Sequence, residues 1–171
     1  MMTLPSCDQM PREMLGRRQW VTWSYAERNG KRTKQPHDPA TDMLAKVNDP
    51  TTWSTFEQAA SSCARHGRDG VGFVLAQDRA FTGIDLDHVI GRDGRVRIPE
   101  VAQLVREANT DVELSPSGEG LHLYLRGPIP DNVKRGYKSK ASQPGGWACE
   151  CYDSNRFFTV TGKRYEVRAD A

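Results

Sequence analysis

The sequence predicts a two-layer domain of the α+β or α/β class. Several short runs alternate large apolar residues with polar residues, which is typical of β-strands, and two segments carry apolar residues at helical spacing. Turn residues such as Asn29-Gly30 separate these segments. Strands with two interspersed helices are typical of a domain in which helices cover a sheet.

The strand predictions rest on alternation and on β-branched or aromatic composition. The segments are residues 19–25, 71–75, 80–89, 111–114, 121–126, 147–152 and 157–161. Residues 31–39 are basic and broken by proline, so they are predicted as a loop or an edge strand. Residues 77–79 are predicted as a hairpin-like turn between two strands.

Two helices are predicted between the strands. The first covers residues 56–66, with Thr52 or Ser54 as its N-cap, and ends at the glycines of residues 67–70. The second covers residues 99–108, where apolar side chains recur at helical spacing. Residues 1–10 are expected to be poorly ordered, and residues 127–146 are expected to form a polar surface loop.

Length and composition limit the possible functions. With 171 residues and 19.2 kDa, the chain is predicted to be one domain, residues 1–171, with a core of its own. A net charge of +2 argues against binding polyanions by charge alone. The chain has no apolar run long enough to span a membrane and no secretion signal, so a cytoplasmic location is expected. The four cysteines are too few and too irregularly spaced for a disulfide scaffold.

Asp85 and Asp87 are the first candidates for a chemical role, because they lie in the apolar run Ile84-Asp85-Leu86-Asp87. Residues i and i+2 of a strand point to the same face, about 6.6 Å apart along the chain. Two neighbouring carboxylates repel each other unless a cation lies between them, and Mg²⁺ is commonly held by one or two carboxylates plus substrate phosphates. The alternative is a solvated polar face of the strand.

Two further segments carry polar groups suited to phosphate chemistry. In residues 115–122, serines and glycines form a turn whose backbone N–H groups can approach an anion, and His122 follows in a strand. In residues 150–162, Glu150 lies in a strand and Arg156 follows a turn, so they can supply a metal ligand and a phosphate clamp. The alternatives are an ordinary hairpin, a structural histidine and a weak surface ion pair. Together the three segments contain what metal-assisted nucleotidyl transfer requires.

These motifs resemble the primase–polymerase domain of the archaeo-eukaryotic primase superfamily, in the form found in phage and plasmid replication proteins. The resemblance covers nearly the whole chain, and it rests on the order and spacing of residues 19–21, 49–53, 70–74, 83–88, 115–122 and 150–162. The family fold implies an RRM-like sheet and a smaller α/β unit, with the active site in the groove between them.

The resemblance implies a role for each matching residue. Asp85, Asp87 and Glu150 are the expected ligands of two Mg²⁺ or Mn²⁺ ions, with Asp153 as a second candidate for the third acid. The expected contacts to the phosphates of the incoming nucleotide are Ser115, Ser117, Gly118, His122 and Arg156. The implied reaction is template-directed transfer of a nucleotide to a 3′-OH with release of pyrophosphate. The implied partners are a dNTP or NTP, a DNA primer and template, and a helicase domain or protein.

Two basic clusters are candidates for binding DNA phosphates, and the alternative is a solvated surface. The candidate residues are Arg32, Lys34, Lys134, Arg135 and Lys138. Trp20 and Trp53 are interpreted as core anchors and the cysteines as structural.

Three other functions stay open. A nucleotide- or single-strand-binding module without catalysis would keep the basic clusters but would not need three acids. A rolling-circle nuclease would need a second histidine two residues from His122, which the sequence lacks. A polymerase domain used in repair or defence has the same residues as one used in replication.

Overall fold

The computed structural model describes residues 4–6, 10–133, 137–138 and 146–166. In these residues the helices are α1 (Arg12–Leu15), α2 (Phe56–His66) and α3 (Pro99–Glu107), and a 3-10 turn covers Pro50–Thr52. The strands are β1 (Trp20–Arg28), β2 (Lys31–His37), β3 (Gly70–Leu75), β4 (Phe81–Asp87), β5 (Asp111–Leu114), β6 (Leu121–Arg126), β7 (Tyr137–Lys138), β8 (Ala148–Tyr152) and β9 (Arg156–Val160).

The chain divides into two compact units, each with its own sheet. The first contains Met1–Asp78 and Ser154–Gly162, and the second contains Arg79–Asp153 and Lys163–Ala171. Helices and antiparallel sheets occur in both, which confirms the α+β class. That residues 1–171 act as a single catalytic domain stays a prediction, as does the expected groove.

The first unit has a four-stranded antiparallel sheet in the order β2-β1-β3-β9. The strands β1 and β2 form a hairpin around Asn29 and Gly30, which both have positive φ as a two-residue hairpin turn requires. Strand β2 lies at the edge of this sheet. This position confirms the prediction that residues 31–39 form a loop or an edge strand.

Large aromatic side chains fill the core of this unit. Trp20 is fully buried and makes edge-to-face contacts with Phe56 of α2 and Phe73 of β3, at centroid distances of 5.0 and 5.1 Å. Trp53 is also buried, so the interpretation of Trp20 and Trp53 as core anchors is confirmed. The N-cap of α2 is Thr55, which forms a capping box with Gln58. The prediction of Thr52 or Ser54 is therefore wrong by one to three residues.

The second unit has a five-stranded antiparallel sheet in the order β5-β6-β4-β8-β7. Alternation along its strands separates an apolar face from a polar one. Ile84 and Leu86 of β4 join the apolar cluster that contains Val101 and Val105 of α3. Asp85 and Asp87 alternate with them along the strand, so they lie on the other face.

Two connections differ from the prediction. Residues 77–79 do not form a hairpin, because β3 pairs with β1 and β9, whereas β4 pairs with β6 and β8 in the other sheet. Residues 127–146 were expected to form a polar surface loop. Within this range, however, Tyr137–Lys138 forms a short strand against β8, and Ile129 is buried. Among the described residues, no helix has the length and apolar character needed to cross a membrane.

Candidate active site

A row of ionisable residues crosses the second sheet on its polar face. The strand register places Asp85 of β4 opposite His122 of β6 on one side and opposite Glu150 of β8 on the other. On the next strands outward, Glu113 of β5 lies opposite His122, and Lys138 of β7 lies opposite Glu150. Directly opposite residues of antiparallel strands have Cβ atoms about 4.5–5.5 Å apart. The sheet therefore brings together three acids and a histidine that are distant in sequence.

Asp87 extends this row by one step along β4. It is exposed and lies on the same face as Asp85, opposite Ala148 of β8. Gly120, just before β6, lies close beside it: an added Cβ at Gly120 would be 2.6 Å from the Leu86 carbonyl oxygen and 3.5 Å from the Asp87 Cα. The absence of a side chain at Gly120 therefore lets the turn before β6 approach the end of β4.

His122 is 2% exposed, and its two ring nitrogens face two different carboxylates. Nδ1 lies 3.4 Å from Oε1 of Glu113, and Nε2 lies 3.6 Å from Oδ1 of Asp85. Oδ1 of Asp85 is itself a buried atom. The histidine therefore connects a buried acid of β5 to the first of the predicted metal ligands.

Glu113 also interacts with a buried tyrosine. The hydroxyl of Tyr124 donates to Oε1 of Glu113 at 2.9 Å, and both side chains are buried. Burial and the neighbouring Glu113 carboxylate raise the pKa of Tyr124 well above its ordinary value. Tyr124 therefore remains a neutral hydrogen-bond donor to Glu113. Glu113 and Tyr124 were not identified from the sequence.

Glu150 has a similar partner on its own strand. The hydroxyl of Tyr152 donates to Oε2 of Glu150 at 2.9 Å. The neighbouring thiols face the other side of the strand, and burial raises the pKa of Cys149 to about 11 and also that of Cys151. These thiols stay protonated at neutral pH, as structural cysteines would. Cys7 lies outside the described residues.

The serine–glycine turn precedes β6 in the same unit. Ser115 is buried, and its hydroxyl lies 3.0 Å from the Ser117 hydroxyl. The Gly118 N–H donates to the Ser115 carbonyl oxygen, and the Glu119 N–H donates to the Ser117 hydroxyl. These two N–H groups have partners within the turn, so a phosphate bound there would have to compete with the turn itself.

Two predicted site residues, Asp153 and Arg156, do not belong to the row of ionisable residues on the second sheet. Asp153 is 2% exposed; its Oδ2 accepts from Nε of Arg79 at 2.6 Å and from the Ile129 N–H at 3.2 Å. These contacts are those of a structural carboxylate, and the choice between Glu150 and Asp153 as the third metal ligand stays a prediction. Arg156 is exposed at the start of β9, which belongs to the first unit. Its role therefore stays a prediction from the resemblance.

The basic candidates fall into two groups. Arg32 and Lys34 lie on the exposed edge strand β2, where the Arg32 guanidinium stacks 3.6 Å from the Tyr25 ring centroid. Nζ of Lys34 lies 3.4 Å from Oγ1 of Thr159. The other candidates are not covered at the side-chain level: Lys134 and Arg135 lie outside the described residues, and for Lys138 only the strand backbone is described.

The donor chemistry on the polar face fits a hard divalent cation. Asp85, Asp87 and Glu150 supply carboxylate oxygens, which Mg²⁺ and Mn²⁺ prefer. No group of three His, Cys, Asp or Glu residues in the described part of the chain is arranged closely enough to hold one ion. Mg²⁺ is usually held by one or two carboxylates together with substrate phosphates. The donor chemistry of these carboxylates therefore suits such a cation, and the binding of an ion here stays a prediction.

Comparison with known proteins found a relative of this chain in a phage. No family model matches the chain. The chain is 39% identical, over 152 residues, to a DNA primase-polymerase of Nitratiruptor phage NrS-1. The aligned segment covers 89% of this chain and 20% of the phage protein, so the chain spans about a fifth of the length of that relative. Over most of its length, this chain is therefore similar to part of a phage DNA primase-polymerase.

Proposed function

We propose that this chain is the nucleotidyl-transfer domain of a DNA primase–polymerase that extends a primer along a DNA template. The supporting observation is the placement of Asp85, Asp87 and Glu150 on one face of the neighbouring strands β4 and β8, with His122 beside Asp85. The similarity to the phage primase-polymerase supports the same reaction class.

The three acids are the proposed ligands of two Mg²⁺ or Mn²⁺ ions. When bound, such ions lower the pKa of the attacking 3′-OH and neutralise charge on the leaving pyrophosphate. Asp87 is exposed, whereas Asp85 is partly buried beside His122. A carboxylate in a partly buried position interacts more strongly with a cation than one in bulk water.

His122 and the serine–glycine turn are the proposed contacts to the phosphates of the incoming nucleotide. Nε2 of His122 lies on the Asp85 side of the ring, where an N–H can donate to an anionic oxygen. A donor whose position is fixed by the strand stabilises the charge that shifts among the phosphates in the transition state. It does so because the donor does not have to reorganise during the reaction. Arg156 is proposed as a further phosphate contact from its sequence position and from the resemblance.

Primer extension with matched variants tests this proposal. Wild type, Asp87→Asn, Glu150→Gln and Asp111→Asn are compared on a labelled DNA primer–template with dNTPs and Mg²⁺ or Mn²⁺. Asp111 is the control, because it lies on β5 of the same sheet in a half-exposed pair with Arg164 at 3.6 Å. Such pairs contribute little.

We expect Asp87→Asn and Glu150→Gln to reduce the extension rate by more than about a hundredfold. Loss of an outer-shell partner of a metal ligand already costs up to about a hundredfold, and these residues are proposed as ligands themselves. Asp111→Asn should remain within about twofold of wild type. Unchanged extension by Asp87→Asn would refute the proposed site. A folded wild type that binds dNTP without extending the primer would indicate the binding-module alternative.

A further inference from the structure

We propose that an arginine-lined cleft in the second unit binds the phosphate backbone of a single DNA strand. The cleft has a volume of about 600 Å³, and its walls are the turn that the Ile90–Val96 bridge closes, helix α3 and residues 164–166. None of the motifs that carry the resemblance includes a residue of this cleft. That the strand is DNA rests on the proposed function, whereas the affinity for a chain of phosphates does not.

The cleft lies on the side of the second sheet that α3 covers. Leu114 of β5 and Ala102 of α3 both line it, and Leu114 packs against the apolar cluster that contains residues of α3. Glu113, the preceding residue of β5, points to the other face, where it meets His122. A ligand in the cleft therefore leaves the row of ionisable residues free for the incoming nucleotide.

Positive charge predominates on the walls of the cleft. Four arginines and two acids line it: Arg95, Arg97, Arg106, Arg164, Asp93 and Glu166. Arg95 and Arg106 are exposed, and within the part of the chain that the structure describes their side chains have no hydrogen-bond or ion-pair partner. A guanidinium presents its donors in a planar fork that matches a phosphate group. These two side chains are therefore available to an anionic ligand.

The other two arginines are held in place and keep donors to spare. Nε and Nη2 of Arg97 donate to the carbonyl oxygen of His88, which is a neutral acceptor, so Arg97 retains its full charge. Arg164 lies 3.6 Å from Asp111 in a half-exposed pair, which contributes little and can be exchanged for a stronger anion. Because a guanidinium has five N–H donors, both side chains can also donate to phosphate oxygens.

Hydrogen bonds fix the walls of the cleft relative to one another. The Tyr165 hydroxyl accepts from the Val96 N–H at 3.0 Å, which ties the segment after β9 to the turn. The Tyr165 N–H donates to the Val112 carbonyl oxygen at 2.9 Å, which ties the same segment to the edge strand β5. A binding surface that is already formed loses less conformational entropy when its ligand binds.

Size and shape favour a strand over a compact anion. A cleft of this volume is large enough for a nucleotide-sized group. It continues along α3 and β5 into a second cavity of about 470 Å³, which shares Arg106, Tyr165 and Glu166 with the first. An extended groove with cationic walls is the arrangement by which proteins follow the backbone of a single strand.

The test is binding of a labelled oligothymidylate, measured by fluorescence anisotropy over a range of salt concentrations without dNTP or divalent metal. Wild type is compared with Arg95→Gln/Arg106→Gln and with Arg65→Gln/Arg92→Gln. The second variant is the control, because it removes the same charge from two exposed residues that do not line the cleft, one on α2 and one on the turn.

We expect Arg95→Gln/Arg106→Gln to weaken binding by about tenfold or more, because it removes two charge-assisted contacts. It should reduce the slope of log K against log [salt] by about 1.4, as the loss of two phosphate contacts to a single strand would. The control should stay within about twofold of wild type. Unchanged binding by the cleft variant, or an equal loss in the control, would overturn the proposal.

Substitution of Ala102 provides a second test that keeps all four arginines. Ala102→Glu places a carboxylate on the wall of the cleft, whereas Ala102→Gln places a neutral side chain of the same size there. We expect Ala102→Glu to bind the strand about fivefold more weakly than Ala102→Gln, because like charges repel. Equal affinities would place the strand elsewhere and contradict the proposal.

Two further measurements identify the ligand and separate this inference from the proposed function. Inorganic tripolyphosphate should displace the labelled strand less effectively than unlabelled oligothymidylate does; a better displacement would show that the cleft takes a compact anion. Primer extension is measured on the same proteins. A wild type that binds the strand through the cleft but does not extend a primer would reject the proposed function alone. Active extension with binding unaffected by the cleft variants would reject this inference alone.

Discussion

Buried histidines in this protein are held by partners that differ in charge. His122 lies between the carboxylates of Glu113 and Asp85. In the first unit, Nε2 of His37 instead lies 3.2 Å from Nη1 of Arg68, and its Nδ1 lies 3.4 Å from the carbonyl oxygen of Asp42. Arg68 can only donate, so Nε2 of His37 must accept and Nδ1 must carry the hydrogen. The same residue type is therefore adapted to two opposite electrostatic environments.

The environment of His37 gives a prediction for the pH dependence of stability. Burial and the Arg68 guanidinium lower the pKa of His37 below 6.5, its ordinary value, so the unfolded chain binds the proton more readily. The contribution of the neutral ring is fully present above pH 6.5 and is lost as the pH falls through the lower folded-state pKa. We therefore expect Tm to fall on acidification below pH 6.5, measured by thermal unfolding across the pH range.

Two variants identify the group responsible for this fall. His37→Gln should flatten the dependence of Tm on pH below 6.5, because it removes the titrating ring. His88→Gln should leave the dependence unchanged, since His88 is exposed and pairs with Glu119 at 3.3 Å on the surface. An equal slope in wild type and His37→Gln would show that another group causes the effect.

Strand alternation is the element-scale property that builds the site. In β4 the apolar side chains join the cluster with α3, and the intervening aspartates face the other side. Strand β6 has the same pattern, with buried Leu121 and Leu123 on either side of His122. Because the period of a strand is two, one apolar face is enough to gather the polar residues on the opposite face.

Close approach at Gly120 gives a prediction at this scale. In Gly120→Ala, the new Cβ would lie 2.6 Å from the backbone oxygen of Leu86, which cannot move without disturbing β4. We expect a loss of about 1–3 kcal/mol in the free energy of unfolding, the usual cost of overpacking, measured by urea denaturation.

A matched glycine separates crowding from the general effect of replacing glycine. Gly94 has a positive φ and an open surrounding, so Gly94→Asn can adopt the same backbone conformation. It should cost less than about 1 kcal/mol. Equal losses in the two variants would mean that the close approach at Gly120 does not determine the stability of β4.

The charge of the whole chain is nearly balanced, so any attraction for DNA must come from local clusters. The chain contains 24 lysine and arginine residues and 22 aspartate and glutamate residues. The hairpin strand β2 places Arg32 and Lys34 on an exposed edge, with Arg32 held against Tyr25 by a cation–π contact. A guanidinium held on a rigid ring loses less conformational freedom on binding phosphate.

DNA binding measured as a function of salt tests this cluster. If Arg32 and Lys34 both contact phosphates, Arg32→Ala/Lys34→Ala should weaken binding of a primer–template and reduce the slope of log K against log [salt] by about 2. Fluorescence anisotropy over a range of salt concentrations measures both quantities. Arg65→Ala, which removes an exposed charge of α2 in the same unit, should not change the slope. An unchanged slope in the double variant would place the DNA elsewhere.

The local elements could be predicted from the sequence because their causes are local. Helix α2 has the predicted bounds, since apolar spacing, a capping residue and a terminal glycine all act within a few residues. The face on which Asp85 and Asp87 lie also follows from alternation alone. The resemblance to primase–polymerases likewise needed only the order of the motifs, and the similarity to the phage relative supports it.

The partners of each strand were decided only by the tertiary structure. Residues 77–79 resemble a hairpin turn, yet β3 and β4 belong to different sheets, because pairing depends on distant strands. Likewise, Glu113 has no motif, and only the β5–β6 register places it against His122. The Arg79 contact that occupies Asp153 joins residues 74 positions apart. Periodicity fixes which face a side chain occupies, whereas only the assembled sheet fixes what it meets there.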